Sequence, residues 1–398
     1  MKRSLSLPPV IKNSRFYTSP TFFRSSSLLQ ARIEFRKINS SLNIVNSGPL
    51  QTQSQPQSRI TNNYSIASYT QSQTRTHTST SNTSPKNITK MSTSQPQTPP
   101  SFAPGNTALI TGGASGIGLS LAEQCIKYGM NVILVDNNGD DLGKAQMYLT
   151  QMSKGDQQVV GLMVDVGGVE EWETVREVVE GDFDGKLHLL ALNAGTSQRG
   201  SFGAPTSHTY FSKILSVNLF GVINGINNLL PYITSHTSPS SIIITGSKQG
   251  ITNPPGNPAY NCSKAAVKTL AEHLSWDLRE KKETGVHLLV PGWTYTGLTG
   301  SGSPFIVSEN GGETKVQRAG LEKKPKGAWS GDQVVEYLQE KMGEGKFYVV
   351  CPDGDVTEEM DRKRMAWGAG DLVQGRQPLS RWREEYKEEF EEFMKRDL

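Results

Sequence analysis

Three side chains in the middle of the chain could move a proton between them. Tyr260-Asn-Cys-Ser-Lys264 puts a phenol and an ammonium four residues apart, which on a helix is one face and one turn. A hydroxyl, Ser247, lies 13 residues upstream. A phenol titrates near pH ~10 and is a poor base at neutrality. A cation held beside it favours the phenolate and draws that pKa towards the working range. The stretch Ala259–Arg279 suits a helix, being rich in Ala, Leu, Lys and Glu with no Gly or Pro after Pro258. Any helix with a tyrosine can show Y-x-x-x-K by chance, so the surroundings decide what the pair means.

The first element that would position it lies near residue 110. Asn106–Thr111 reads as a short buried strand, Gly112-Gly-Ala-Ser115-Gly116-Ile117-Gly118 as a glycine-rich turn, and Leu119–Tyr128 as a helix. Strand, turn and helix in that order are what a dinucleotide site demands. Gly112 permits the tight exit from the strand, and Gly116 lets backbone approach a pyrophosphate at the helix N-terminus. Gly118 lets helix and strand pack closely. The next strand, Asn131–Val135, ends in Asp136, 18 residues after Gly118. An acid there can accept hydrogen bonds from both hydroxyls of an adenine ribose and would repel a 2′-phosphate. No nearby Lys or Arg welcomes such a phosphate, which favours NAD over NADP; the alternative is that Asp136 caps a loop. Asp165, after Val159–Val164, is a candidate for the adenine edge or equally a loop cap.

Further strands are expected at Leu187–Leu192, Ser241–Thr245, Val286–Val290 and Phe347–Cys351, with helices at Gly168–Glu180, His208–Ile233, Ala259–Lys282 and Gly331–Met342. Seven strands alternating with helices give an α/β fold: a single doubly wound parallel sheet of Rossmann type, covered on both faces. Asn193-Ala194-Gly195, Ser247 and Pro291-Gly292 each follow a strand, so they share the rim where open α/β sheets bind ligands.

Taken together, residues 105–352 resemble the short-chain dehydrogenase/reductase family. Thr111-Gly112-x-x-x-Gly116-x-Gly118, Asn193-Ala194-Gly195, Asn218, Ser247, Tyr260-x-x-x-Lys264 and Pro291-Gly292 occur in that family's order and spacing. Gly246 stands where many members have a second Ser, and Thr294 where an aliphatic residue is commoner. The resemblance implies an NAD-dependent oxidoreductase that interconverts a secondary alcohol and a ketone. Tyr260 would exchange the proton and Ser247 would hold the substrate oxygen. Lys264 would lower the Tyr260 pKa and bind the nicotinamide ribose, and Asn218 would anchor a relay water. Asn193, with Ala194 and Gly195, would secure the bend beneath the cofactor. Pro291, Gly292 and Thr296 would frame the nicotinamide, Thr296 reaching its carboxamide while Thr294 offers a competing hydroxyl. The resemblance also implies a homodimer or homotetramer. An NAD-binding regulator on the same fold is the alternative, although such proteins typically lose the Tyr or the Lys and this chain keeps both.

The rest of the chain divides by composition. Residues 1–100 hold twelve Lys and Arg against the single acid Glu34, or +11, so with +3 overall residues 101–398 carry −8. The leader is expected to be disordered, since Ser47–Ser101 is dominated by Ser, Thr, Gln and Asn. Its acid-poor start, with the run Phe22–Lys37, reads either as a mitochondrial presequence or as sequence upstream of a true start at Met91, leaving a cytoplasmic or a mitochondrial location open. Its basic residues are scattered, so no nucleic acid partner is expected. No apolar run is expected to reach bilayer length. Cys125, Cys262 and Cys351 are far apart and odd in number, which suggests neither a metal site nor a disulfide framework. Gly297–Ser330 reads as a mobile lid, which the family resemblance implies sets substrate choice, with Trp293, Tyr295, Phe305 and Trp329 as candidate walls. Residues 353–398 form an extension in which Trp382, Tyr386, Phe390 and Phe393 make an apolar stripe for packing, and Arg376 and Trp382 could approach the active-site rim.

Overall fold

The computed structural model describes residues 14–18 and 98–397, apart from 204–205, 301 and 311–312. Most of the leader, including the run 22–37 and Met91, lies outside the described residues. Eight strands form one all-parallel sheet: β1 (Ser14–Thr18), β2 (Thr107–Thr111), β3 (Asn131–Asp136), β4 (Val159–Met163), β5 (Leu189–Leu192), β6 (Ser240–Thr245), β7 (Thr284–Val290) and β10 (Tyr348–Val350). Their spatial order is β1-β4-β3-β2-β5-β6-β7-β10. The seven anticipated strands are present, and β1 adds an eighth from the segment expected to lack structure. It pairs with β4 in register Ser14 to Val159, supplying partners to backbone groups that an edge strand leaves open.

Alternation along the strands divides the core in two. Ala108, Ile110, Val132 and Leu134 enter one apolar cluster, whereas Leu109, Ile133 and Val135 enter the other. The first cluster is closed by α1 (Gly116–Lys127), α2 (Gly139–Met152) and α8 (Gly331–Gly343). The second is closed by α3 (Trp172–Asp182), α5 (Gly221–Thr234) and α7 (Pro258–Asp277). Helix α2 was missing from the sequence expectations. Asn138 caps its start by accepting from the Asp141 amide at 3.2 Å, with Asp140 and Asp141 in the first turn. Helix α4 (Ser207–Leu215) runs into α5 through a π-turn, Ser216–Phe220. This continuous stretch, Ser207–Thr234, is long and apolar enough by length and composition to cross a bilayer, against expectation. Here its Val222, Leu229 and Ile233 pack into the second cluster.

The region expected to be a lid has a different structure. Its first residues, Leu298 and Thr299, line the rim with Ser247 and Tyr260, whereas Phe305–Asn310 (β8) and Glu313–Arg318 (β9) form an antiparallel hairpin that packs on α2 and is tied to α1 through Arg318. Phe305 and Val316 are buried in the first cluster, and Phe305 meets the Tyr148 ring at 5.9 Å. Arg318 reaches Glu123 at 2.8 Å, Asp332 at 2.7 Å and Ser120 at 3.0 Å, joining the hairpin to α1 and α8. Phe305 is therefore a core residue and no substrate wall. Trp329 likewise stacks edge-on against Tyr337 at 5.8 Å.

Removing one partner from a largely buried ion cluster leaves the others unpaired, which costs more than an exposed pair ever contributes. Arg318→Met is expected to lower stability by roughly 2–4 kcal/mol and to speed proteolysis within 305–318. Thermal unfolding and limited proteolysis check this, and a wild-type Tm would show that apolar packing alone holds the hairpin.

Candidate active site

Helix α7 begins at Pro258, which occupies the first turn where a missing N–H costs nothing. Its start is held from α4: the Tyr210 phenol accepts from the Ala259 amide at 3.2 Å and donates to Asn257 at 2.6 Å. This fixes Tyr260 and Lys264 on the buried side of α7, 8% and 4% exposed. Ser247, two residues past β6, lies in hydrogen-bonding contact with the Tyr260 phenol and accepts from the Gln249 amide at 3.2 Å. Phenol, hydroxyl and ammonium are thus brought together as the spacing suggested.

The electrostatics depart from expectation. Burial pushes the Tyr260 phenol above its ordinary value, with the Ser247 hydrogen bond opposing. Lys264 does not reverse this: its Nζ donates to the Thr245 carbonyl at 2.8 Å and lies 5.9 Å from the Tyr260 ring centroid. Burial brings Lys264 itself down to about 8. A cation whose own charge is penalised by desolvation is a weak stabiliser of a neighbouring phenolate. In this state Tyr260 is a proton donor.

The remaining site residues are joined by short polar contacts. The Thr111 hydroxyl donates to the Ala191 carbonyl at 3.3 Å and accepts the amides of Asn193 and Ala194 at 2.9 and 3.0 Å. The Asn193 side chain donates to the Thr111 carbonyl at 3.1 Å and accepts from the Thr245 hydroxyl at 3.1 Å. Asn218 is fully buried inside the π-turn, the kind of helix irregularity frequent at functional sites. It accepts from the Thr196 amide at 2.7 Å and donates to the Thr196 carbonyl at 3.0 Å and the Ser263 hydroxyl at 3.1 Å. Its side chain clamps the strand-end loop after Gly195 to α7.

At the glycine turn, Gly112 and Gly116 adopt φ of +65° and +55°, where a side chain is strained. A Cβ at Gly118 would collide with the Gly112 carbonyl, which is the close packing foreseen for it. Asp136, at the end of β3, accepts from the Ala114 amide at 3.1 Å and the Asn138 amide at 3.0 Å. Burial raises its carboxyl above the usual range against those two bonds. Asp165 is exposed and caps its own loop, accepting from the Gly167 amide at 3.0 Å. Thr296 lies against the glycine turn, since a Cβ on Gly116 would stand 2.8 Å from its methyl. Thr294 is buried and donates to the Gly292 carbonyl at 3.3 Å, while the Thr296 side chain forms a capping box with Thr299; both residues line the cleft.

Of the site residues named from the sequence, all except Thr111, Gly118 and Asn218 line one cleft of about 690 Å³, running from Asp136 and Asp165 past Ser115, Gly116 and Ile117 to Tyr260 and Pro291-Gly292. A positive-φ glycine cradle at one end, a buried cation at the other and an acid at the ribose position fit a dinucleotide. Of the four candidate walls, Trp293 alone lines this cleft.

Among the lining residues that the sequence reading did not single out are Lys248 and Asp353. Lys248, next to Ser247, pairs with Asp353, and with Asp361 at 2.6 Å. Asp353 accepts from the Trp293 amide at 2.7 Å, and its carboxylate fills the space a Cβ on Gly292 would need. Both carboxylates come from beyond the seventh predicted strand, and no spacing rule connects them to Ser247. Arg376 and Trp382, by contrast, stay away from the rim. Arg376 stacks over Trp367 at 3.9 Å and bonds Asp371 at 3.0 Å. The apolar stripe packs within the extension, Phe390 and Phe393 each meeting Trp367 at 5.3 Å.

Comparison with known proteins agrees with this geometry. Residues 106–304 match the family described as short chain dehydrogenase. Among curated relatives, mouse 3-ketodihydrosphingosine reductase is 30% identical over 182 residues, 45% of this chain and 54% of that protein. The chain therefore spans about half the length of that relative. Oxidoreductase asL5 of Sarocladium schorii is 32% identical over 177 residues, 44% of this chain and 68% of its own. A solved short chain dehydrogenase/reductase from Burkholderia phymatum in complex with NAD superposes with a TM-score of 0.56 at 25% identity, covering 69% of this chain and 96% of that one. A parallel α/β sheet, a glycine cradle and a buried Tyr–Lys–Ser cluster on its rim, matched to these relatives, place the chain in the short-chain dehydrogenase/reductase family of NAD(P)-binding oxidoreductases.

Proposed function

We propose that the protein interconverts a secondary alcohol and a ketone with NAD as its preferred cofactor, Tyr260 acting as acid and base. The observation that carries this reading is the direct contact of the Tyr260 phenol with Ser247 at the mouth of a cleft floored by Lys264. The name of the mouse relative describes a ketone reductase, which supports the same chemistry. Bound NAD would supply or accept the hydride at its nicotinamide ring. Ser247 holds the substrate oxygen while Tyr260 gives that oxygen its proton in reduction, or takes it in oxidation. Lys264, turned towards the cleft from α7, binds the nicotinamide ribose hydroxyls. Asp136 receives the adenine ribose hydroxyls, and its carboxylate opposes a 2′-phosphate at that position.

Tyr260→Phe is expected to keep NAD binding and lose about 10²–10⁴-fold in turnover, read from NADH absorbance over a panel of secondary alcohols and ketones. Near-wild-type turnover in that variant would remove Tyr260 from the chemistry. Asp136→Ser is expected to narrow the preference for NAD over NADP by about tenfold or more; a wild-type protein that uses both equally would contradict the role given to Asp136.

Lys264 also sets a pH dependence. Its value in the free protein, about 8, lies below the ordinary lysine value. Ribose hydroxyls accept from the ammonium and favour the charged form, so binding is coupled to protonation. Below about pH 8 the ammonium is already present and affinity is flat; above it, binding takes up a proton and affinity falls as pH rises. Titrating NAD by calorimetry from pH 6 to 10 should show that break in the wild type and none in Lys264→Met. An identical break in the variant would assign the titration elsewhere.

A further inference from the structure

A second and larger cavity, about 1290 Å³, opens behind the catalytic loop. It lies between the turn α6 (Gln249–Thr252), helices α7 and α8, and the extension helix α9 (Glu358–Gln374) with the segment that follows it. Ile251, Val350, Met365, Leu372, Leu379 and Trp382 contribute apolar surface to it. Three of them are left substantially exposed: Leu372 at 91%, Trp382 at 44% and Leu379 at 37%. Apolar surface of this kind gathered in one groove marks a binding site more often than a free surface.

The charges lining the groove are unevenly matched. Lys268 pairs with Glu272, Lys341 with Glu340 and Glu344, and Arg376 with Asp371. Arg364 and Arg381 are different. The Nε of Arg364 is buried with no acceptor among the described residues, and its Nη1 stands 3.6 Å from Asp361, a carboxylate that Lys248 approaches at 2.6 Å but whose oxygens are themselves buried without a hydrogen-bond donor. Among the described residues Arg381 contacts ring faces, Trp382 at 4.5 Å and Phe390 at 5.5 Å. Burial, and then the like charge of Arg364, push Arg381 down to about 10, with Asp361 opposing. Three cations, Lys248, Arg364 and Arg381, thus share two carboxylates, Asp353 and Asp361. Lys346, Arg362 and Glu358 also line the groove, whose lining stays net positive, and a planar guanidinium with free N–H groups is suited to a carboxylate or phosphate.

We infer that this groove binds an anionic amphiphile, a carboxylate or phosphate head on an apolar tail, with Arg364 and Arg381 holding the head and the Ile251–Met365–Leu379–Trp382 walls the tail. A buried donor without an acceptor is costly until a partner arrives, which gives the head its recognition. The apolar walls give the tail its affinity. The site is separate from the catalytic cleft, although Asp361 touches both clusters.

The test uses the full chain and the fluorescence of Trp382, isolated by comparison with Trp382→Phe. Dodecanoate and dodecyl phosphate, each below its micellar concentration, should give saturable binding; dodecanol and inorganic phosphate should bind at least about tenfold more weakly. Arg381→Gln and Arg364→Gln should each weaken both anionic amphiphiles by about tenfold or more while NAD binding and the far-UV spectrum stay unchanged. Among the described residues the Arg381 side chain makes no hydrogen bond or ion pair, so its variant serves even where Arg364→Gln fails to fold. Dodecanol binding as tightly as dodecanoate would overturn recognition of the head, and inorganic phosphate binding as tightly as dodecyl phosphate would overturn the role of the tail. Absence of saturable binding, or full binding in the Arg381 variant, would overturn the site.

Discussion

The site hangs on one chain of hydrogen bonds across the ends of three strands. Thr111 on β2 holds the backbone after β5, Asn193 after β5 holds Thr111 and Thr245, and the Thr245 carbonyl on β6 accepts the Lys264 ammonium. Every link but the Lys264 ammonium, which comes from α7, is a strand-end group, so its position is set by the register of a parallel sheet. A slip of one residue would turn each side chain to the opposite face and break the chain at every link. The sheet is buried on both sides, and that burial makes the register unambiguous. Apolar alternation in the core thus fixes the position of a single ammonium at the rim.

A second constraint brings the C-terminal extension into the site. Lys248 follows Ser247 directly, and its charge is met by Asp353 and Asp361, the latter on α9. Asp353 also accepts the Trp293 amide and fills the space over Gly292. The loop bearing Ser247, the Pro291-Gly292 turn and the extension are therefore locked by the same few charges. Breaking a buried ion cluster costs far more than making it contributes. The gain here is geometric: two loops that would otherwise move independently are held at one relative position.

The residues most legible from sequence were those whose role is local. Gly112 must reach positive φ, Gly118 must yield to a carbonyl, and Tyr260 and Lys264 need only a helix to share a face. The strands were legible because buried parallel strands are continuous apolar runs. What escaped depends on partners distant in the chain. The hairpin 305–318 is polar and glycine-flanked like a lid, yet Phe305, Val316 and Arg318 find their partners on α1, α2 and α8. Asp353 and Asp361 had no motif to mark them, since their meaning comes only from Lys248. The direction of the Tyr260 shift was missed for the same reason. Helical spacing gives the distance from phenol to ammonium, but burial of both decides which form each prefers.

That last point explains how stability and chemistry are divided in this molecule. A cation buried at 4% exposure with one carbonyl acceptor is an expensive group for a fold to keep. The phenol beside it is likewise held in its neutral form by burial. Neither arrangement serves the folded chain by itself, since an apolar pair would pack there without penalty. In the reaction proposed above, both would become favourable as hydroxyl groups enter the cleft, satisfying the ammonium and presenting an oxygen to the phenol. The strand-end network holds the Lys264 ammonium in place through the Thr245 carbonyl. The cost of keeping these groups dry is borne by the two apolar clusters of the sheet, and it is recovered as pre-organisation of the site.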